Sequence, residues 1–390
     1  MASTETPTCS QASLDVGEPI FATAITGTDL WLLIEHDGQW APNILDSPGL
    51  APRTRAWIEA FLADHPTARP QFIRCDAGAR APARPKRFFF ARSGDVEPGI
   101  WAFEFHDPVE LEAIDLRALA ADRRPYPEAR RTRPLFLVCT HGKRDACCAR
   151  LGPAIARGLH AEWGDSVWQS SHVGGHRFAA TMVCLPWGHC FGRLDTAAAL
   201  RVARGYAARR LTDLLNYRGR TAWTQPVQAA EFFLRQELGV YGIDALRYSR
   251  GEMVGEDRWR VCFFEKQTGE THELTVVKER GADLAPTSCG GRPEPVSPLR
   301  PAPREGNPER PAWPTRSGPG GGETDPQRQG ACGMLRCDKP ARPHAAPVWR
   351  GSWCIPVGVA ARRSVGMHPF TARAVAGRRP GGDVASDRRR

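Results

Sequence analysis

The chain has 390 residues, with 53 Lys and Arg against 43 Asp and Glu, a formal net charge of +10. Residues 301–390 contain 16 basic and 7 acidic side chains, which leaves 37 basic and 36 acidic ones in residues 1–300. The body of the protein is therefore nearly neutral, which argues against a nucleic-acid-binding protein. No apolar run reaches the 18 residues of a membrane span, and segment 1–17 lacks the features of a secretory signal. We expect a cytoplasmic protein.

The first third of the chain predicts a small α/β region over residues 8–130. Residues 31–35 are mostly apolar, which is typical of a buried strand. Residues 54–65 place their apolar side chains on one helical face, as in an amphipathic helix. Further short apolar runs predict strands at residues 71–75, 87–91 and 100–105.

Residues 131–295 predict a second α/β domain. The apolar run 134–138 predicts a strand that ends at Cys139, and a helix follows from about Ala149. Pro153 would then lie in the first helical turn, where its missing N–H is harmless. Further elements are predicted in chain order: strands at 166–171 and 178–185, helices from 195 or 196 to about 217 and at 227–238, and a hairpin of 259–265 with 272–278.

The end of the chain has a different composition. Residues 301–390 contain 13 Pro and 13 Gly, and their apolar residues follow neither a helical nor a strand period. Such a composition is typical of disorder, so we predict a disordered, basic tail over residues 296–390. No internal repeat of 20–50 residues is evident in the chain.

Two loops that follow predicted strands carry four potential metal ligands. Cys139 and Cys148 are separated by eight residues, and His172 and His176 are separated by three. Two thiolates and two imidazoles can complete a tetrahedral zinc site or hold the two irons of a [2Fe–2S] cluster. Zinc-finger cysteines usually lie two to four residues apart, so the spacing does not by itself decide between the metals.

The motifs around these residues resemble a known family. The segments 139–148, 171–178 and 185–192 together are similar to the sucrase/ferredoxin-like family. The resemblance covers about residues 8–295. It implies a thioredoxin-like ferredoxin domain at residues 131–295, preceded by the smaller α/β region.

The resemblance also implies a cofactor and its ligands. Members of the bis-histidinyl type bind a [2Fe–2S] cluster through two cysteines and two histidines, which here correspond to Cys139, Cys148, His172 and His176. The family pattern places its second cysteine nine positions after the first, which selects Cys148. The adjacent Cys147 stays open as the alternative ligand.

Two classes of function follow from the motifs and the resemblance. A [2Fe–2S] cluster supports one-electron transfer, which protons on the histidine ligands can accompany. The family name also suggests a sucrose-type glycoside hydrolase, but no pair of carboxylates stands out as catalytic. A Cys2His2 zinc or thiol-redox protein is the third alternative. We favour electron transfer over hydrolysis, and the missing flavin and nicotinamide fingerprints imply an unidentified redox protein as partner.

Overall fold

The computed structural model of the protein describes residues 7–75, 84–95, 97–121 and 125–303. Its α-helices are α1 Cys9–Asp15, α2 Pro52–Asp64, α3 Leu116–Ala120, α4 Ala146–Trp163, α5 Thr196–Ala207 and α6 Gln225–Leu238. Its first ten strands are β1 Leu30–Glu35, β2 Ala68–Arg74, β3 Lys86–Arg92, β4 Gly99–Phe105, β5 Arg130–Arg131, β6 Leu135–Cys139, β7 Val167–Ser170, β8 Met182–Leu185, β9 His189–Phe191 and β10 Tyr217–Arg220. The remaining strands are β11 Leu246–Gly255, β12 Arg258–Glu265, β13 Thr271–Lys278, β14 Leu284–Pro286, β15 Pro293–Pro295 and β16 Leu299–Pro301.

The first ten strands form one sheet with the order β10-β9-β8-β6-β7-β2-β1-β3-β4-β5. The pairs β1–β2 and β6–β7 are parallel, and helices α2 and α4 connect them. The other neighbouring strands are antiparallel. Strands β2 and β7 pair through Ile73 with Ser170 and Arg74 with Gln169. This pairing joins the strands that precede residue 130 to those that follow it in one continuous sheet.

Both faces of the central strands are covered. Every residue of β1 and of β6 is buried, as expected for strands that carry near-continuous apolar runs. On one face, α2 packs on alternate residues of β1, and α4 packs on alternate residues of β6. The opposite faces of β1 and β6 share a second apolar cluster, which includes Trp31, Leu33, Leu135 and Leu137. The predicted ligand Cys139 belongs to that shared cluster.

The last part of the described chain forms a smaller layer. Strands β11, β12, β13 and β16 make a four-stranded sheet that packs on α6. Strands β14 and β15 pair separately, and the turn between them contains Cys289. Of the helices described, none combines the length and the apolar character needed to cross a membrane.

The predicted α/β class is confirmed, with two differences in the helices. Helix α4 begins at Ala146, so Pro153 lies inside the helix and not in its first turn. Helix α5 ends at Ala207, and the predicted continuation to about residue 217 is wrong. Arg209 there has φ of +58°. The apolar residues beyond Arg209 keep a helical spacing. The amide of Leu211, however, donates its hydrogen bond to the carbonyl of Tyr241 and does not continue the helix.

The predicted domain limits stay a prediction. Strand β16 extends the ordered pairing to Pro301, a few residues past the predicted limit at 295, because it pairs with β13. The rest of the predicted tail, residues 304–390, lies outside the described residues.

Candidate metal centre

Strand β6 carries Cys139 to one end of the large sheet. The amide of Cys139 donates a hydrogen bond to the carbonyl of Thr181 at 3.1 Å. Helix α4 packs directly over this end of the strand. A Cβ atom placed on Gly152 of α4 would lie 2.1 Å from the carbonyl oxygen of Cys139. Glycine at position 152 is therefore what allows the helix to approach so closely.

The first turn of α4 directs two adjacent cysteines to different places. Asp145 caps the helix, because its Oδ1 accepts a hydrogen bond from the amide of Cys147 at 2.8 Å. Successive residues of a helix point about 100° apart. Both cysteines are buried, but Cys148 lies beside Cys139, whereas Cys147 points to a second group of cysteines.

His172 and His176 lie on the loop that follows β7. Gly174 and Gly175 have φ of +86° and +70°, which side chains other than glycine adopt at a cost. The Nη1 of Arg218 donates to the carbonyl of Gly174 at 3.0 Å, and a Cβ on Gly175 would lie 1.9 Å from the guanidinium. The two glycines therefore let the loop fold tightly over Arg218 and bring the imidazoles toward the end of β6.

The structure brings three of the four predicted ligands into one group. One donor atom each from Cys139, Cys148 and His172 lie within 4.8 Å of one another. His176 is adjacent, since its ring centroid lies 5.1 Å from that of His172. Its Nε2 lies 3.7 Å from Oδ2 of Asp145. All four residues thus share one end of the sheet, and His176 is turned toward Asp145.

Several imidazole nitrogens at this end of the sheet have no hydrogen-bond partner. Within the described part of the chain, this holds for Nδ1 of His172 and for both ring nitrogens of His176. An unsatisfied buried polar atom costs about 1–3 kcal/mol, so such atoms in a folded protein call for a ligand. Two thiols with two imidazoles fit a centre that contains iron or zinc.

His141 connects the two ligand-bearing loops. Its Nδ1 accepts a hydrogen bond from the amide of His172 at 3.2 Å, so the proton sits on Nε2, which faces the carbonyl of Trp40 at 3.3 Å. Burial lowers the pKa of His141 below its ordinary value and favours this neutral form. His141 is therefore a positioning residue that the sequence did not single out, because a single histidine is not by itself a signal.

The protonation states of the cysteines and histidines in this group also suit metal binding. Contact with the Cys148 thiol, followed by contact with His172, holds the pKa of Cys139 well below its ordinary value. The same contact raises the pKa of Cys148, so Cys139 is the first of the two thiols to ionise. Burial lowers the pKa of His176. A thiolate and a neutral imidazole are the forms that bind metals.

A comparison with known protein families finds one that is similar to this chain. Residues 23–208 match the sucrase/ferredoxin-like family. The resemblance drawn from the motifs is thus confirmed, and the match includes all four predicted ligands and Cys147. Neither the curated proteins nor the solved structures that were searched gave a match.

Two arginines bring positive charge to the histidine loop. The Nη2 of Arg69 donates to the carbonyl of His172 at 2.9 Å. Arg218 is fully buried and donates to the carbonyls of Gly174 and Thr23. Neither arginine forms an ion pair with a carboxylate within the described residues. Arg69 is partly buried and Arg218 is fully buried. Because a cation without a counter-ion is costly away from water, both favour an anionic group at the end of β6.

A second group of donors lies next to the first and involves residues outside the family match. It contains Cys9 from α1, Asp145 and Cys147 from the start of α4, and Cys289 from the turn between β14 and β15. Neither Cys9 nor Cys289 has a second cysteine or histidine at ligand spacing, so the sequence motifs did not indicate them. Only the fold brings these distant residues together.

Proposed function

We propose that the protein transfers one electron at a time through a [2Fe–2S] cluster bound by Cys139, Cys148, His172 and His176. The observation that carries the proposal is the grouping of two thiols with the imidazole of His172, whose Nδ1 has no hydrogen-bond partner among the described residues. His176 supplies a second imidazole beside them. When bound, such a cluster accepts and returns a single electron.

The charges around the group support a role in accepting an electron. With two thiolates and two neutral imidazoles, an oxidised [2Fe–2S] centre has no net charge, and reduction adds one negative charge. The guanidinium groups of Arg69 and Arg218 face the histidine loop. They stabilise added negative charge by Coulomb attraction in a poorly solvated site. We therefore propose that these two residues raise the reduction potential.

The histidine side of the group is its more accessible side. Cys139 and Cys148 are buried, whereas the His176 side chain keeps 13% of its surface exposed. His172 is also partly exposed. A redox partner that docks over the histidine loop would come closer to the proposed cluster than one that docks elsewhere. Coupling of electron transfer to proton uptake at these rings remains a hypothesis, and the pH dependence of the reduction potential tests it.

Anaerobic purification of the full chain tests the proposal directly. We expect two irons and two acid-labile sulfides per chain, visible absorption from the cluster, and an electron paramagnetic resonance signal after reduction by one electron. The reduced protein should return to its starting spectrum on reoxidation.

Two other results would overturn the proposal. Zinc bound by two thiolates and two imidazoles, without iron, would assign the site to the Cys2His2 alternative. A colourless protein that lacks iron and hydrolyses sucrose would assign the chain to the glycoside hydrolases.

A further inference from the structure

We propose that Cys9, Cys147, Cys289 and Asp145 bind a single zinc ion at a site separate from the electron-transfer centre. The four side chains come from helix α1, the start of α4 and the turn between β14 and β15. Their donor atoms all lie within 4.8 Å of one another. Cys147 is thereby assigned to a second site, next to the one that uses Cys148.

The three sulfur atoms form a nearly equilateral triangle. The Sγ atoms of Cys9 and Cys147 are 3.5 Å apart, those of Cys147 and Cys289 are 3.4 Å apart, and those of Cys289 and Cys9 are 3.6 Å apart. Zinc–sulfur bonds of about 2.3 Å in a tetrahedron place neighbouring sulfurs about 3.8 Å apart. The triangle therefore has nearly the size of one face of a tetrahedral zinc site.

Asp145 lies at the fourth corner. Its Oδ1 is 3.4 Å from Sγ of Cys289 and 3.8 Å from Sγ of Cys9. Backbone amides hold the carboxylate in place, because Oδ1 accepts from Cys147 at 2.8 Å and Oδ2 accepts from Cys289 at 2.9 Å. A carboxylate oxygen has two lone pairs, so an oxygen remains able to bind a cation.

The geometry favours one metal ion over the alternatives. A disulfide would join two of the sulfurs at about 2.0 Å and leave the third cysteine unused. Cysteines that bind different irons of a cluster are separated by the cluster itself, so three sulfurs in mutual contact do not suit an iron–sulfur cluster. Three thiolates and a carboxylate around one point are donors that zinc can bind in a tetrahedron.

The zinc site would also hold in place the segments that pack beside the proposed electron-transfer centre. Helix α1 packs against the turn His176–Phe178 and against β14. A zinc ion shared by Cys9, Cys147 and Cys289 would therefore hold α1 and the β14–β15 turn beside the histidine loop. Metal binding of this kind contributes directly to the stability of the fold.

Metal analysis of the full chain tests the inference. We expect one zinc per chain in addition to iron, when the cells are grown with both metals. Cys9→Ser and Cys289→Ser should each lower the zinc content about tenfold or more and leave most of the iron. Cys262→Ser is the matched control, because that buried thiol lies on β12 of the four-stranded sheet, where it donates to Glu273 and is outside the proposed donor group. Zinc content unchanged in both site variants would overturn the proposal.

Zinc X-ray absorption of the unmodified chain keeps the inference testable if the variants fail to fold. We expect three sulfurs at about 2.3 Å and one oxygen at about 2.0 Å. A shell of two sulfurs and two nitrogens, or a chain that takes up no zinc, would contradict it. Cys139→Ser separates the two proposals, because it should lose iron and keep zinc.

Discussion

The two halves of the ten-stranded sheet have the same topology. In the first half, β1, α2 and β2 form a parallel pair with a connecting helix, and β3, β4 and β5 follow on the other side of β1. In the second half, β6, α4 and β7 do the same, and β8, β9 and β10 follow beside β6. The first strands of the halves, β1 and β6, begin at Leu30 and Leu135. Each half is longer than the repeats of 20–50 residues that are absent from the sequence.

The halves differ in what the corresponding strand ends carry. Strand β6 ends in Cys139, whereas β1 ends in Glu35, which is buried and paired with Arg84. After β7 comes His172 with an unpaired nitrogen, whereas β2 ends in Arg74. The same backbone frame therefore supports an ion pair in one half and a set of soft metal donors in the other. The proposed function belongs to the strand-end residues and not to the topology.

Replacement of Cys139 or Cys148 in the second half should have the largest effect, which is a loss of iron. Cys139→Ser or Cys148→Ser should lower the iron content about tenfold or more, because a hydroxyl is a poorer iron ligand than a thiolate. Cys147→Ser should keep most of the iron, since Cys147 lies in the other donor group. Iron analysis of the three variants checks this. Loss of iron from Cys147→Ser with retention in Cys148→Ser would reverse the assignment.

Conversion of a histidine ligand to cysteine should change the potential and not the cluster content. His172→Cys and His176→Cys each replace a neutral ligand by a thiolate. The added negative charge disfavours reduction, so the potential should fall on the order of 100 mV or more. Redox titration followed by visible absorption measures the change. An unchanged potential in iron-loaded variants would mean that neither imidazole is a ligand.

Replacement of Arg69 or Arg218 by a neutral residue should also lower the reduction potential, but by less than the histidine replacements do. Arg69→Gln and Arg218→Gln each remove a positive charge beside the histidine loop, so reduction becomes less favourable. A Coulomb contribution of about 1–1.5 kcal/mol corresponds to roughly 40–65 mV for one electron. Arg218→Lys retains the charge and should keep most of the potential. Arg204→Gln, an exposed arginine paired with Glu162, is the control without effect. Potentials that do not move in either glutamine variant would exclude the electrostatic role.

The sequence predicted the ends of β6 and β7 well and other features poorly. Apolar runs bounded by loops located β6 and β7, and these strands place Cys139 and His172 where the motifs expected them. The end of α5 was missed, because Leu211 and its neighbours continue the helical spacing after the chain has turned at Arg209. The group around Cys9 could not be predicted. Cys9 and Cys289 are each more than 130 residues from Asp145 and Cys147, so no local spacing links them to that pair.

The shared topology leads to a last prediction, in which the protein loses stability and the proposed cluster is unaffected. Glu35 sits at the strand end that corresponds to Cys139, and its Oε2 accepts from the amide of Arg87 at 2.8 Å as well as from Arg84. Glu35→Gln keeps the size of the side chain but weakens these charge-assisted hydrogen bonds. Unfolding should become about 1–3 kcal/mol more favourable, with iron content and potential unchanged. Chemical denaturation and redox titration of one preparation measure both.

That result would separate the roles of the two halves. If the first half only supports the sheet, the variant loses stability alone, because the ion pair stabilises β1 and does not contact the ligand loops. Glu59→Gln, on the exposed side of α2 and paired with Arg55 there, is the matched control with little effect on either quantity. A shift of the potential in Glu35→Gln would show instead that the first half contributes to the electrostatics of the centre through the strand pairing of β2 with β7.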